Sequence, residues 1–235
     1  MAIYQLPKRP LFPSPEEAEE NGLLAVGGDL SPKRLLNAYA QGIFPWYHEG
    51  QPILWWSPDP RMVLFPKNFK RHKNLKRTIR KKLFSITFDT CFQQVIEQCA
   101  STRIEKEGTW ITEDMKKAYV KLHQLGYAHS VETWQNGQLV GGLYGVSLGH
   151  TFFGESMFHL VTDASKVALW HLVDLMIFWD FDMIDVQQET DHLKSLGAIP
   201  VERKKFLHLL KGSMNKPTKK GLWTIPETIN QNQHD

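Results

Sequence analysis

The chain has 235 residues, of which 42% are hydrophobic and 23% charged, and its formal net charge is +3 at pH 7. This composition is typical of a folded globular protein and excludes a mostly disordered one. The first ten residues, MAIYQLPKRP, lack the apolar core of a secretory signal. The most apolar stretch, 167–184, carries three aspartates, so we expect a buried helix leading into a strand there, and a cytoplasmic location.

Residues 1–65 are rich in Pro, Gly and Trp. Within them, Ser31 followed by Pro32 is a helix-start signal, and it predicts a helix over 32–41 that stops at Gly42. Short strands and turns are expected around this helix. The composition therefore predicts a small, irregular α+β domain over 1–65 and a second domain over 66–235.

A basic segment follows the first domain. Between Asp59 and Asp89 there is no acidic residue, while ten of the 28 basic residues fall there. They are Arg61, Lys67, Lys70, Arg71, Lys73, Lys76, Arg77, Arg80, Lys81 and Lys82. One interpretation is a solvated helix face. A run of like charge this long favours an anionic partner, and nucleic acid in particular.

The second domain shows regular periodicity. A helix is predicted near 89–100, and another over 113–125, with Thr112 as its cap and Gly126 as its stop. Three strands in a meander follow, with a turn at Asn136-Gly137. The remaining predicted elements are a long helix over 163–180, a strand over 182–187, a short helix over 190–196 and a basic helix near 203–211. This order predicts an α+β fold in which helices cross a mixed sheet.

Several chemical templates are missing from the sequence. There is no phosphate-binding loop of the G-x-x-x-x-G-K-[ST] type, no G-x-S-x-G elbow and no H-E-x-x-H metal motif. Cys91 and Cys99 are interpreted as buried thiols, because a zinc site needs more ligands at closer spacing. The sequence therefore favours acid–base or positioning chemistry without a metal or cofactor.

Two acids and an amide are candidates for such chemistry. Asp185 and Gln187 stand two residues apart on a strand and so share one face. Glu155 lies among phenylalanines and a methionine, where burying a carboxylate is costly unless it is paired. The alternatives are that Glu155 faces solvent and that Asp185 merely caps the next helix.

Tryptophans and tyrosines near the first domain are a further candidate group: Tyr39, Trp46, Tyr47, Trp55, Trp56 and Trp110. Core packing is one role for such residues. Stacking on unpaired bases is the other, since basic residues follow them in the sequence.

Taken together, several stretches resemble the leucyl/phenylalanyl-tRNA–protein transferase family. They are NGLLAVGGDLSPKRLLNAYAQGIFPWY, LWWSPDPR, EGTWIT, HSVETW, GGLYGV, FFGESMF, DASKVAL and SLGA, in that order over about residues 10–210. The resemblance implies a small N-terminal domain and a GNAT-like (acyl-CoA N-acyltransferase-like) catalytic domain. It also implies transfer of Leu or Phe, and less well Met, from aminoacyl-tRNA to proteins that begin with Arg or Lys, as a step of the N-degron pathway.

The resemblance also implies site residues. It places Asp185, Gln187 and Glu155 at the reaction centre. There we favour Asp185 polarising the attacking amine with Gln187 fixing its geometry; the alternative is electrostatic positioning, with the tRNA's own hydroxyl passing the protons. It assigns Trp46, Trp110 and Tyr39 to the 3′-terminal adenosine, and it leaves a role for Thr190 open because the family more often has Asn there. The expected pocket for the donor side chain is formed by Leu143, Phe152, Leu172 and Ile184. The phosphate contacts expected in the basic segment are those of Arg71, Lys73, Arg77 and Arg80.

Two other functions fit parts of the sequence. An acyl-CoA transferase would share the fold, but the segment LVTDASK lacks the glycines that hold a pyrophosphate. A non-catalytic RNA-binding protein would use the basic segment and the tryptophans. No long apolar heptad is present, so a monomer is expected.

Overall fold

The computed structural model describes residues 3–104, 110–224 and 226. Residues 107–109 of the EGTWIT stretch lie outside this part of the chain. The helices are α1 (Pro32–Ala40), α2 (Lys73–Arg80), α3 (Phe92–Ile104), α4 (Glu113–Gln124), α5 (Ala164–Phe178), α6 (Asp191–Ser195) and α7 (Arg203–Met214). The strands are β1 (Tyr4–Gln5), β2 (Leu23–Val26), β3 (Phe44–Pro45), β4 (Leu54–Trp56), β5 (Arg61–Leu64), β6 (Ser85–Phe88), β7 (Ala128–Gln135), β8 (Gln138–Leu148), β9 (Thr151–His159), β10 (Met183–Gln187) and β11 (Ile199–Val201).

The N-terminal region forms a small four-stranded sheet in the order β1-β2-β4-β3. Helix α1 begins as predicted, because the Ser31 side chain accepts a hydrogen bond from the Arg34 backbone and Pro32 occupies the first turn. The chain then turns at Gly42, whose φ is +74°. A Cβ at Gly42 would lie 2.8 Å from Phe206, so the turn between α1 and β3 is in close contact with α7 here.

The larger sheet has seven strands in the order β11-β5-β10-β9-β8-β7-β6. Strand β10 runs parallel to β9, and the other neighbouring pairs are antiparallel. The prediction of an α+β fold is confirmed. Strand β5 pairs within the larger sheet although it lies before residue 65; the division into 1–65 and 66–235 stays a prediction.

The parallel pair β9–β10 is short. Its register joins Met183 to Thr151, Ile184 to Phe152 and Asp185 to Phe153, and the paired residues end there although both strands continue. Opposite β5, a bulge lies between Asp185 and Gln187, and Gln187 has a φ of +63°. The two strands therefore diverge beyond Asp185, which leaves room for a pocket between them.

Most of the regular elements lie where the sequence predicts them. Helices α1, α4, α5, α6 and α7 and the meander of β7, β8 and β9 match within three residues. Strand β5, which begins at Arg61 of the basic segment, and strand β6, which follows that segment, were not individually predicted. Among the residues that the structure describes, no helix has both the length and the apolar character needed to cross a bilayer.

Candidate active site

A cavity of about 350 Å³ opens where β9 and β10 diverge. One part of its wall is apolar, with Leu143, Phe152, Leu172 and Ile184, the four residues predicted to surround the donor side chain. The polar residues that line it include Glu155, Gln187 and Gln188. The cavity thus combines an apolar wall with a small set of polar groups, as ligand sites commonly do.

Glu155 is buried and receives three hydrogen bonds. They come from the Tyr39 hydroxyl at 2.7 Å, the Tyr119 hydroxyl at 3.0 Å and the Gln187 side-chain amide at 2.8 Å. Burial raises the pKa of Glu155 to about 7, although each of these hydrogen bonds lowers it. The interpretation that Glu155 faces solvent is therefore wrong: it is a buried carboxylate in a hydrogen-bonded network, and it lines the cavity.

Asp185 lies behind this network and does not line the cavity. Its carboxylate accepts two hydrogen bonds from Arg61, at 2.8 and 2.7 Å, and both side chains are 0% exposed. A further bond, at 3.0 Å, comes from the Gln187 backbone N–H. Asp185 therefore holds the backbone of Gln187, while the Gln187 side chain reaches Glu155.

Arg61 belongs to the basic segment by sequence but not by environment. Its guanidinium lies between two aromatic rings, 4.7 Å from the centre of Phe44 and 4.8 Å from that of Phe206. Strand β5 carries it into the larger sheet beside β10. The sequence grouped Arg61 with the basic residues expected to meet an anionic partner, and this is wrong for Arg61: its side chain is 0% exposed and pairs with Asp185, 124 positions away.

The three aromatic residues predicted at the adenosine site have different environments. Trp46 and Trp110 are half-buried and line the cavity. Tyr39 is 0% exposed, and its hydroxyl bonds Glu155 and Tyr119. A base cannot stack on a fully enclosed ring, so the assignment of Tyr39 is corrected to a hydrogen-bond donor within the Glu155 network.

Two polar side chains of the α6 region line the mouth of the cavity. Thr190 is the N-cap of α6, and its hydroxyl accepts a bond of 3.2 Å from the Leu193 backbone. His192 was not singled out by the sequence; burial lowers its pKa, and the charge of Lys166 adds to this effect. The lowered pKa favours the neutral ring, which can act as a hydrogen-bonding group.

The basic segment forms α2 and the residues around it. Lys73, Arg77 and Arg80 are exposed on α2, whereas Arg71 is partly buried, pairs with Asp174 and lies over the Trp170 ring. Within the part of the chain that the structure describes, the first three side chains make no ion pair or ring contact of this kind, so they can meet an external anion without breaking one. In the described ranges, no group of three or more His, Cys, Asp or Glu residues could hold a metal ion.

The fold is α+β with a mixed sheet, and its apolar cavity leads to a buried carboxylate network. These features define a class of protein, one with a reaction or binding site the size of a small molecule. The model of the leucyl/phenylalanyl-tRNA protein transferase family matches residues 63–211, and the model of its N-terminal domain matches residues 28–59. The chain belongs to this family, and the resemblance drawn from the sequence is confirmed.

Proteins that carry the name of this family are similar to the chain over nearly its whole length. A leucyl/phenylalanyl-tRNA–protein transferase of Legionella pneumophila (strain Corby) is 56% identical over 214 residues, which are 91% of this chain and 96% of the relative. Its counterpart in Desulfatibacillum aliphaticivorans is 54% identical over 226 residues, 96% of this chain and 97% of the relative. The similarity therefore spans nearly the whole length of both proteins.

The chain also aligns with solved structures of acetyltransferases. An aminoglycoside acetyltransferase from an uncultured soil metagenomic sample, in complex with sisomicin, has a TM-score of 0.39 and 13% identity over 62% of this chain and 99% of that one. An aminoglycoside N-acetyltransferase in complex with CoA has a TM-score of 0.33 and 10% identity over 61% and 94%. Likeness at this level carries no argument about the chemistry of this chain.

Proposed function

We propose that this chain transfers Leu or Phe, and less well Met, from aminoacyl-tRNA to the α-amino group of proteins that begin with Arg or Lys. The protein is proposed to be a cytoplasmic monomer that acts in the N-degron pathway. The observation that carries it is the cavity itself, which joins an apolar wall to a buried carboxylate with a pKa of about 7. Family membership supports the same function.

The apolar wall suits an aliphatic or aromatic donor side chain. Leu143, Phe152, Leu172 and Ile184 offer no charge to pair with a polar side chain. A pocket of this kind discriminates only weakly among apolar side chains, at about 1–3 kcal/mol per methylene. The pocket excludes charged side chains, because a buried charge without a partner is costly. Graded use of Leu, Phe and Met follows from this chemistry.

Trp46 and Trp110 supply the other requirement, a surface for the terminal base of the donor. Both indoles line the cavity and are partly exposed. Stacking of a base on an aromatic ring contributes about 1–3 kcal/mol. We assign the 3′-terminal adenosine to these two rings, which places the ester bond between them and the apolar wall.

Glu155 is the proposed proton acceptor: it takes a proton from the attacking amine as the new amide C–N bond forms, and a proton passes to the terminal ribose oxygen of the tRNA as the ester C–O bond breaks. The attacking α-amine has an ordinary pKa of about 7.7–8.0 and is mostly protonated at neutral pH. A carboxylate with a pKa of about 7 is close enough in basicity to accept that proton. The Gln187 amide fixes the carboxylate by donating to it at 2.8 Å. Asp185, enclosed with Arg61, acts by positioning Gln187.

The start of α5 argues against coenzyme A as the donor. Asp163 is the N-cap of α5 and pairs with Lys166 at 2.9 Å. The hydrogen bond from Lys166 lowers the pKa of Asp163, so the helix N-terminus carries a carboxylate. A pyrophosphate placed there would lie beside this carboxylate, and the segment has no glycine loop to hold it.

The basic segment supports a tRNA donor. Lys73, Arg77 and Arg80 project from α2 into solvent, where they can meet phosphates without regard to sequence. We propose that these three, with Arg71 at the edge of the same surface, hold the acceptor stem. The activated ester of the donor supplies the driving force, so the reaction needs no ATP, metal or cofactor.

The test is a transfer assay with purified protein and no ATP. Charged Leu-tRNA or Phe-tRNA is mixed with a peptide that begins with Arg, and mass spectrometry follows the peptide. We expect a gain of one Leu or Phe residue. Matched peptides that begin with Ala or Asp, and tRNA charged with Asp, are expected to give no product. Binding of tRNA without transfer to the Arg peptide would contradict the proposal.

A further inference from the structure

The residues after α7 return across the larger sheet and are held at several points. The Thr218 hydroxyl accepts a bond of 2.9 Å from the Gly149 backbone, and the Gly221 N–H donates to the Gly126 carbonyl at 3.1 Å. A Cβ at Gly126 would lie 2.5 Å from the Gly221 nitrogen. The two backbones are thus in direct contact. This segment, residues 215–224, is called the C-terminal strap; it lies beyond residue 211, where the family model ends.

The strap ends in a buried anchor, Trp223, which is 3% exposed. Its backbone N–H donates to Asp89 at 2.7 Å, and its indole N–H donates to the Lys219 carbonyl at 2.9 Å. The indole stacks on His129, with ring centres 3.7 Å apart and an angle of 7°. The orientation of this side chain is therefore fixed by both hydrogen bonds and stacking.

Trp223 also contacts a wall of the candidate active site. Its ring centre lies 5.8 Å from that of Phe152, at an angle of 43°, and Phe152 lines the cavity. A Cβ at Gly145 would lie 2.6 Å from Cε1 and Cζ of Phe152, so the ring also rests directly on the backbone of β8. Phe152 is thus held by the sheet and by the strap together.

From this arrangement we infer that Trp223 is a specificity-determining positioning residue. By fixing the Phe152 ring, it sets the depth of the pocket that receives the donor side chain, and so the preference between Leu and Phe. The inference rests on the proposed function, since Phe152 can select a side chain only if this cavity receives one. Trp223 itself does not line the cavity and acts through its ring contact with Phe152.

The experiment measures kcat/KM for Phe-tRNA and Leu-tRNA in the full-length variants Trp223→Phe and Trp223→Leu. A smaller side chain lets the Phe152 ring move back and deepens the pocket. We expect the Phe-to-Leu ratio of kcat/KM to rise by about threefold to tenfold in Trp223→Leu, and by a smaller factor in Trp223→Phe. The affinity for uncharged tRNA should stay within about twofold of the wild type.

Trp55 is the matched control. It is also buried, donates its indole N–H to a backbone carbonyl (Gly27, 2.8 Å) and packs edge-on against an aromatic ring, but it does not line the cavity. Trp55→Phe and Trp55→Leu should lower the melting temperature without changing the Phe-to-Leu ratio.

Each outcome decides the inference. A Phe-to-Leu ratio that is unchanged in both Trp223 variants, with melting temperatures lowered as in the Trp55 pair, would show a purely structural role and overturn it. If Trp223→Leu does not fold, the ratio in Trp223→Phe decides in the same way. A wild type that binds tRNA and transfers neither Leu nor Phe would overturn the proposed function, and this inference with it.

Discussion

Glu155 holds its place in the network through three donors, and only one of them, Gln187, lies on the neighbouring strand. Burial raises the pKa of Glu155 and the three hydrogen bonds lower it, so its pKa of about 7 reflects the balance of these two effects. Substitution of the carboxylate by an amide keeps the shape but removes the ability to accept a proton. We expect Glu155→Gln to lower kcat by about 10²–10⁴-fold. Filter binding of tRNA, measured in parallel, should be nearly unchanged; a variant with the wild-type kcat would exclude Glu155 as the base.

Tyr39 offers a second test at the residue scale. Its hydrogen bond lowers the pKa of Glu155, so Tyr39→Phe should raise that pKa above 7. Since the base must be ionised, activity is lost as the pH falls through the pKa of Glu155. The acidic limb of the kcat/KM profile should therefore move to higher pH in Tyr39→Phe. Tyr47→Phe is the control, because the Tyr47 hydroxyl bonds Thr112 and not Glu155. Equal profiles for Tyr39→Phe and the wild type would contradict the assignment.

Asp185 is expected to behave differently from Glu155. Asp185→Asn leaves the Arg61 guanidinium enclosed without a counter-charge, and breaking a buried pair in this way costs about 3–5 kcal/mol. We therefore expect a large loss in the free energy of unfolding, measured by denaturant titration, together with the loss of activity. Loss of activity with unchanged stability would instead favour the direct role of Asp185 at the attacking amine that we expected from the sequence.

At the scale of elements, α2 is the part that should govern tRNA affinity. The triple variant Lys73→Ala, Arg77→Ala, Arg80→Ala removes three exposed charges and keeps good helix formers. If each side chain meets a phosphate, the slope of log K against log salt should weaken by about 2–3. The kcat at saturating tRNA should be unchanged. The control is Lys117→Ala, Lys121→Ala on α4; equal slopes for all three proteins would rule out α2 as the phosphate-binding element.

Element prediction from the sequence succeeded where the signals are local. The Ser31-Pro32 start of α1, the Thr112 cap of α4 and the Asn136-Gly137 turn each depend on neighbouring residues, and each is present in the structure. Strands β5 and β6 are only four residues long, too short for a periodic pattern to appear. Strand β5 is buried along its whole length, so no alternation marks it either.

The candidate site could be predicted only in part, for the same physical reason. Glu155, Gln187, Trp46, Trp110 and the four apolar wall residues all line one cavity, and the family resemblance had implied a role for each of them. The partners that determine what those groups do come from distant positions: Tyr119 bonds Glu155 from α4, and Arg61 encloses Asp185 from β5. Pairings of this kind are set by tertiary packing, which no local pattern reports.

At the scale of the whole molecule, the small sheet region and the larger sheet share one network. Tyr39, on α1, donates to Glu155 on β9, and Arg61 lies between Phe44 of the small sheet and Phe206 of α7. Arg203 also bonds the Ser57 carbonyl at 2.7 Å. A proton gained or lost at Glu155 is therefore coupled to the stability of the fold as well as to catalysis.

This coupling has a definite sign. The pKa of Glu155 is raised from 4.5 to about 7 in the folded state, so the folded protein holds the proton more tightly than the unfolded chain does. The contribution of Glu155 to the free energy of unfolding is fully present below pH 4.5 and is lost as the pH rises through about 7. A shift of this size corresponds to about 3 kcal/mol. Burial lowers the pKa values of His129 and His192. Their contribution to the free energy of unfolding therefore has the opposite pH dependence and is lost as the pH falls.

The contribution of Glu155 can be isolated by comparison with Glu155→Gln, because the histidines and the other acids are common to both proteins. Denaturant unfolding at pH 5 and pH 8 gives the change in the free energy of unfolding for each. We expect that free energy in the wild type to fall by about 2.5 kcal/mol more between these two values than it does in Glu155→Gln, because part of the full effect has already developed at pH 5. Parallel changes in the two proteins would mean that Glu155 has an ordinary pKa in the folded state. The carboxylate would then be ionised throughout this range, too weak a base to take the proton of the attacking amine efficiently, and catalysis would depend on positioning of the two substrates.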